Sequence, residues 1–274
     1  MHRVSANGAK IPAIGLGTWT LRDEAASELV ESAIKSGYRH IDTAAMYENE
    51  EAVGAGLRAS GLARDEIFLT SKIWYTDIAE GDLQRSVEAS LKRLGTDYLD
   101  LALIHWPSKS VALADSIGAL NEVHTRGLTR NIGVSNFTST LIEEAVALST
   151  HPLACNQVEY HPFLNQDTVK SACNRHGMAM VSYCPLARGS DLFGLPEVAD
   201  PAQSHGKTPA QIVLRWHVQQ EGVIAIPRSS NAERIRQNFE VFDFALSDDE
   251  MAAISALRER NHRICDFDFS PDWD

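Results

Sequence analysis

The sequence predicts an α/β chain closed into a (β/α)8 barrel, and three observations carry that prediction. Short apolar runs recur eight times, at the roughly 30-residue spacing of a strand–helix repeat. Stretches with helical periodicity fill the gaps between them. The alternative, a doubly wound sheet, normally opens with GxGxxG. The segment Gly15-Leu16-Gly17-Thr18-Trp19-Thr20 has the first two glycines and lacks the third.

In chain order, the first element is a hairpin. Val4-Ser5-Ala6 and Ala9-Lys10-Ile11 flank Asn7-Gly8, the pair that a type I′ turn favours because both central residues need positive φ. The barrel strands are then read at Ala13–Gly17, Tyr38–Asp42, Ile67–Lys72, Leu99–His105, Asn131–Val134, Ala154–Glu159, Ala179–Tyr183 and Val223–Ile226. Between the third and fourth, Leu83, Val87, Leu91 and Leu94 form one apolar stripe, with Asp82 before it and Gly95 after it as start and stop signals. Thr208-Pro209 opens another helix, its proline placed where a first-turn N–H is not needed. The stretch Gly189–Gly206 shows no clear pattern and is expected to be a long loop after the seventh strand. No linker divides the chain, so residues 1–274 are expected to form one domain.

Composition narrows the function. Lys plus Arg number 25 against 37 Asp plus Glu, a net charge of -12 that argues against general affinity for nucleic acid or anionic membrane. No run approaches the roughly 18 apolar residues of a membrane span, and the first ten residues lack a signal-peptide core. Cys155, Cys173, Cys184 and Cys265 have no metal-binding spacing, so reduced thiols and a cytoplasmic location are expected. The ten histidines include no HExxH, so no metal is expected.

In such a barrel, polar residues at the C-terminal ends of strands meet at one mouth. The second strand ends at Asp42, with Tyr47 in the loop beyond; the third ends at Lys72, the fourth at His105. A lysine at the end of a core strand is costly unless paired, and Asp42 is the natural partner. A Lys72 ammonium near Tyr47 is expected to lower the phenol's pKa from about 10. Tyr47 then gives a proton to a carbonyl oxygen as hydride reaches its carbon, while neutral His105 orients that carbonyl. Taken singly, each residue has a bland reading as a structural pair, a core histidine or a packing tyrosine. Their convergence on consecutive strands favours chemistry.

A hydride needs a cofactor. Ser135, Asn136 and Gln157 carry the donors and acceptors that a carboxamide requires, and Tyr183 offers a ring face for stacking. After the eighth strand, Arg228, Ser229 and Ser230 precede a helix expected to start at Asn231 or Ala232, with Arg234 in its first turn. Basic side chains at a helix N-terminus suit a phosphate. Arg236 is read either as part of that cluster or as a solvated outward face. Trp19, Trp74 and Trp106 lie at or just past strand ends, either as substrate-pocket walls or as rim packing.

The ordered motifs GLGTW, DTAAMYENE, FLTSKIW, LGTDYLDLALIHWP, GVSNF, NQVEYHP, SYCPLARG and IPRSSNAERIRQNFEVFDF resemble the aldo-keto reductases, from about residue 3 to the end of the chain. The short tail SPDWD is similar to the bacterial branch with 2,5-diketo-D-gluconate and methylglyoxal reductases. The resemblance implies a monomeric barrel reducing aldehydes and ketones with NADPH, NADH being the alternative. It implies catalytic roles for Asp42, Tyr47, Lys72 and His105. Nicotinamide contacts fall on Ser135, Asn136, Gln157 and Tyr183, and pyrophosphate contacts around Leu186. Phosphate contacts fall on Arg228, Ser229 and Arg234, and adenine contacts on Gln237 and Asn238. Thr18 and Ser230 join the cofactor set. The family commonly has Lys at Arg228 and Glu at Gln237; Arg228 retains the charge and keeps NADPH favoured, while the neutral amide of Gln237 is expected either to weaken adenosine binding or to shift preference toward NADH. Arg188 stands where a small residue is common and is a further candidate for the pyrophosphate. The short tail points to small polar carbonyls: α-dicarbonyls, keto-sugar acids or short aldehydes. A non-catalytic NADP(H)-binding regulatory barrel is the competing reading, and the intact set of four catalytic residue types speaks against it.

Overall fold

A computed structural model describes residues 2–189 and 191–274. Strands β1 (Arg3–Ala6) and β2 (Ala9–Pro12) form an antiparallel hairpin, turning at Asn7 and Gly8 with φ of 45° and 90°. There follow β3 (Leu16–Gly17), α1 (Asp23–Lys35), β4 (His40–Asp42), α2 (Glu50–Ala59), β5 (Phe68–Ile73), α3 (Asp82–Leu94) and β6 (Leu101–Ile104). Then come α4 (Leu113–Thr125), β7 (Ile132–Ser135), α5 (Ser139–Leu148), β8 (Leu153–Glu159), α6 (Asp167–Arg175) and β9 (Ala179–Tyr183). The chain continues through α7 (Pro196–His205), α8 (Pro209–Gln219), β10 (Val223–Ala225), α9 (Ala232–Phe239) and α10 (Asp248–Ala256).

Strands β3 to β10 form one parallel eight-stranded sheet in sequence order. Its two edges meet: Ile14 bridges Ala225, Gly15 N–H donates to Ala225 O at 2.9 Å, and Ala225 N–H donates to Ala13 O at 3.0 Å. The sheet is therefore a closed barrel. Almost every strand residue is buried, because helices cover the outside and side chains fill the inside. Inside, His40 Nε2 lies 3.2 Å from Thr70 Oγ1. Gly15 is required beside that ring, since a Cβ there would sit 2.6 Å from His40 Nδ1.

The hairpin closes the N-terminal end. Asn7 Nδ2 donates to Leu153 O at 2.8 Å and to His176 O at 2.9 Å, tying the turn to the start of β8 and the end of α6. A cavity of about 1290 Å³ opens at this end, lined among others by His2, Arg39, Arg215 and Phe242. It contains none of the strand-end polar residues, so concavity alone does not mark the chemistry here.

The expected strands are present, their ends shifted by no more than three residues and Ala179–Tyr183 not at all. The stripe Leu83, Val87, Leu91 and Leu94 is the buried face of α3, which stops where Gly95 turns left-handed at φ 68°. Thr208 caps α8, accepting from Gln211 N while the Gln211 side chain returns to Thr208 N.

The expectation of a long loop at Gly189–Gly206 is corrected: most of it is a short 3-10 turn (Asp191–Gly194) and helix α7; Ser190 lies outside the described residues. Pro196 occupies the first turn and Gly206 ends the helix at φ 63°. Pro201 inside the helix removes one ladder bond, and the buried side is only Val198, Pro201 and Ala202, too narrow a stripe to read as periodic. Among the described residues, no helix is long and apolar enough to cross a membrane.

Candidate active site

Three consecutive strands bring three ionisable groups to the C-terminal mouth. Asp42 ends β4, Lys72 lies one residue before the end of β5, and His105 follows β6. Tyr47 closes a one-turn 3-10 helix (Ala45–Tyr47) just past β4. Asn49 holds that turn: its side chain donates to Thr18 O at 2.8 Å and Leu21 O at 3.0 Å and accepts from Thr43 Oγ1 at 3.0 Å.

The Lys72 side chain is 0% exposed and that of Asp42 1%. The ammonium uses its three donors on Asp42 Oδ1 at 2.5 Å, Thr43 O at 2.9 Å and Tyr47 Oη at 3.2 Å. The second carboxylate oxygen of Asp42 accepts from Gln157 Nε2 at 2.7 Å. A buried pair is tolerated only when its spare lone pairs and protons are satisfied in this way. An ammonium has no lone pair to accept with. The Tyr47 oxygen therefore accepts from Lys72, and its own proton is left free for another acceptor.

Burial pulls the Lys72 pKa down, but Asp42, with help from Tyr47, outweighs it and the net direction is up. Tyr47 corrects the sequence expectation. Burial of its hydroxyl end raises the phenol's pKa, Lys72 only partly offsets this, and the net direction is upward. The resting side chain is the phenol. Burial, then Lys72, holds His105 well below the usual histidine range, so its imidazole is neutral. Its Nδ1 has no partner among the described residues. The ring meets Tyr47 edge-on, centroids 5.6 Å apart, and Trp74 at 5.1 Å.

The polar residues of β7 to β9 join the same network. Ser135 Oγ donates to Gln157 O at 2.7 Å. Asn136 Nδ2 donates to His105 O at 2.9 Å and to Ser135 Oγ at 3.1 Å, and Tyr183 Oη donates to Asn136 Oδ1 at 2.8 Å. Asn136 takes a left-handed φ of 63°, which asparagine tolerates better than most residues. Thr18 does not open onto this surface. It is fully buried, and its hydroxyl donates to Asp42 O at 3.1 Å, behind the site.

Beyond β10, Asn231 caps α9 by accepting from Arg234 N at 2.9 Å, and Ser229 Oγ accepts from Asn231 N at 3.1 Å. Ser230 is exposed at this corner. Arg228 reaches back to Trp19 O at 3.1 Å and to Thr20 Oγ1. Among the described residues neither Arg228 nor Arg234 pairs with a carboxylate, whereas Arg236 lies between Glu233 and Glu240 on the outward face. Two uncompensated guanidinium groups at a helix N-terminus, in a chain of net charge -12, fit an anionic ligand. Gln237 Nε2 donates to Glu233 Oε1 at 3.0 Å, and Asn238 is buried one residue on. Leu186 is half-buried. Arg188 is directed to Cys265 Sγ at 3.9 Å.

Of the tryptophans, Trp19 is 44% exposed and packs on Tyr47 at 4.9 Å, and Trp74 meets His105. Trp106 is 5% exposed because the C-terminal tail covers it: Phe267, Phe269 and Trp273 approach its ring at 5.7, 5.2 and 6.0 Å. Phe269 also stacks on Tyr75 at 4.8 Å. No local sequence signal assigns these tail aromatics a place at the mouth. Glu159, expected only as a strand end, has a further role: its buried carboxylate accepts from Ile264 N at 2.7 Å and Cys265 N at 2.6 Å and so holds the tail over the mouth.

A closed parallel barrel with a Lys-held Asp, a phenol and a neutral imidazole at its mouth defines a class, and comparison with known proteins identifies it. The profile described as the Aldo/keto reductase family matches residues 13–192 and 194–259. A protein named Aldo-keto reductase from Mycobacterium sp. (strain MCS) is 45% identical over 258 residues, covering 93% of this chain and 90% of that protein. A protein named Glyoxal reductase from Bacillus subtilis (strain 168) is 42% identical, covering 92% of this chain and 91% of its own. A crystal structure of "a putative 2,5-diketo-D-gluconic acid reductase B" superposes with a TM-score of 0.95 at 44% identity, covering 100% of this chain and 98% of that one. This chain belongs to the aldo-keto reductase family and is an oxidoreductase acting on carbonyl groups; the family generally works with NAD(P)H.

Proposed function

We propose that the protein reduces small polar carbonyl compounds, α-dicarbonyls and keto-sugar acids among them, to alcohols with NADPH, using Tyr47 as the general acid. The observation that carries this reading is the Lys72 ammonium, which touches both Asp42 Oδ1 and Tyr47 Oη. The bound nicotinamide supplies the hydride.

The chain's own residues do the rest. His105 is neutral and can donate one N–H to a carbonyl oxygen, fixing its direction toward Tyr47. Tyr47 holds its proton at rest, as an acid must, and Lys72 stands ready to stabilise the phenolate that forms when the proton leaves. Asp42 keeps Lys72 in place and charged. Ser135, Asn136, Gln157 and Tyr183 would hold the nicotinamide end of the cofactor, Leu186 the pyrophosphate, and Arg228, Ser229 and Arg234 the 2′-phosphate, with Gln237 and Asn238 near the adenine. Charge supports NADPH over NADH, since neither the Arg228 nor the Arg234 guanidinium is offset by a carboxylate among the described residues. Trp19, Trp74 and the tail's Phe269 would wall the substrate. The names borne by the relatives, glyoxal reductase and 2,5-diketo-D-gluconic acid reductase B, support small polar dicarbonyl substrates.

The test is NADPH oxidation by the purified protein against glyoxal, methylglyoxal and 2,5-diketo-D-gluconate, with Tyr47→Phe alongside. Turnover on at least one of them, lost in the variant, is the expected result. Turnover unchanged in the variant would remove Tyr47 from the acid role.

A further inference from the structure

Two thiols outside the carbonyl chemistry meet at the edge of the mouth. Cys184 follows β9 with a left-handed φ of 49° and is half-buried, so small molecules can reach it. Cys265 is buried in the C-terminal tail, its N–H held by Glu159 Oε2 at 2.6 Å. The two thiols are close enough to interact, and the Arg188 guanidinium beside them donates to Cys265 Sγ at 3.9 Å; Glu159, which holds the Cys265 N–H, pairs across the sheet with Tyr183, the residue before Cys184. Nothing in the sequence spacing links these residues; the fold brings them together. Cys155 and Cys173 are different: both are buried in the apolar core.

We propose that Cys184 and Cys265 are an oxidisable pair, in which Cys184 takes a hydroperoxide and Cys265 converts the product to a disulfide that ties the tail to the end of β9. The roles follow from the surroundings. The Cys265 hydrogen bond, helped by Arg188, holds the Cys184 thiol below its ordinary pKa against the effect of burial. Cys184 is half-buried and open to small molecules whereas Cys265 is buried, so Cys184 is the thiol that meets the hydroperoxide. Burial, above all, pushes Cys155 and Cys173 up, Cys173 to about 12.

The Cys184 thiolate attacks the distal peroxide oxygen, the O–O bond breaks, and the alkoxide leaves to take a proton from water, giving Cys184 sulfenic acid. Cys265 sulfur then attacks Cys184 sulfur, the S–O bond breaks, and the departing hydroxide leaves as water with the Cys265 proton. Two thiols and one hydroperoxide give one disulfide, one alcohol and one water. The new bond fixes Cys265 and, through it, the aromatic segment Phe267–Phe269 that packs on Trp106.

The experiment treats the full-length protein with hydrogen peroxide or tert-butyl hydroperoxide, blocks free thiols and maps tryptic peptides. The expected product joins the peptide 176–188 to the peptide 264–274, lighter by two hydrogens than the separate thiols, and dithiothreitol releases it. In Cys265→Ser, Cys184 should stop at sulfenic acid and be trapped by dimedone; in Cys184→Ser, Cys265 should stay reduced. Turnover of the oxidised wild type should fall several-fold and return with dithiothreitol. A Cys184 that oxidises without cross-linking in the wild type, or that reacts no faster than Cys155 and Cys173, overturns the proposal. The mass readout does not depend on how the carbonyl is reduced, so its failure and failure of the carbonyl-reductase reading are separate outcomes.

Discussion

Gln157 on β8 donates to Asp42 on β4 at 2.7 Å, across the interior of the barrel, on the carboxylate oxygen that Lys72 does not use. Asp42 is thereby fixed from two sides, and the ammonium it carries is fixed with it.

The first prediction concerns the acid. Tyr47→Phe removes the proton donor and leaves the ring that packs on Trp19 and His105. kcat should fall by about 10²–10⁴-fold, the usual worth of a positioned acid. Cofactor binding, followed by fluorescence titration, should stay close to that of the wild type.

The second separates structure from chemistry at the buried pair. Lys72→Met leaves Asp42 charged and buried without its cation, and should cost about 3–5 kcal/mol in urea unfolding. Adding Asp42→Leu should recover much of that loss while activity stays absent. A double variant no more stable than the single would mean that Asp42 is not the source of the strain.

The third concerns cofactor choice. Arg228→Ala with Arg234→Ala should raise the KM for NADPH by at least tenfold and change that for NADH much less, because the lost charge–phosphate bonds are worth about 1.5–3 kcal/mol each. Equal effects on the two cofactors would show that neither arginine reads the 2′-phosphate.

The fourth tests the tail anchor. Glu159→Gln keeps the shape but weakens the charge-assisted bonds to Ile264 and Cys265. Amide exchange over residues 264–274 should quicken, and KM for the carbonyl substrate should change more than kcat. Unchanged exchange would place the hold on the tail elsewhere, for instance at Ser139, whose N–H and hydroxyl both donate to Asp274.

The fifth is a pH dependence. Burial, partly opposed by Asp42, lowers the His40 pKa from 6.5 to about 4, and burial lowers that of His217 to about 3. Above pH 6.5 both are neutral, folded or unfolded, and stability is complete. As pH falls below 6.5 the unfolded chain binds protons that the folded one refuses, so stability is lost down to the folded pKa values. Between pH 6 and 5 the two together should cost about 2–3 kcal/mol, with matching proton uptake on unfolding. A flat profile over that range would mean that these imidazoles are charged in the fold.

Much of the site was legible because strands carry their information in parity and position. Asp42, Lys72 and His105 are recognisable as polar ends of apolar runs, and Tyr47 as the phenol just beyond one of them. What stayed hidden depends on contacts between distant segments. The hold of Glu159 on residues 264–265 and the cover of Trp106 by Phe269 leave no local pattern. Helix α7 was hidden by Pro201. The direction of the Tyr47 shift was misjudged because a sequence shows the neighbouring charge and not the depth of burial that outweighs it.

The barrel is sealed where Ile14 meets Ala225, two positions at opposite ends of the chain. A ribosome therefore delivers one lip of that seam about 200 residues before the other, at a few tens of seconds' remove at ordinary translation speeds. Until then the nascent sheet has an open edge at Ile14 that any passing strand can pair with. Chaperone cover should matter most in that interval, well after Asp42 and Lys72 have both emerged.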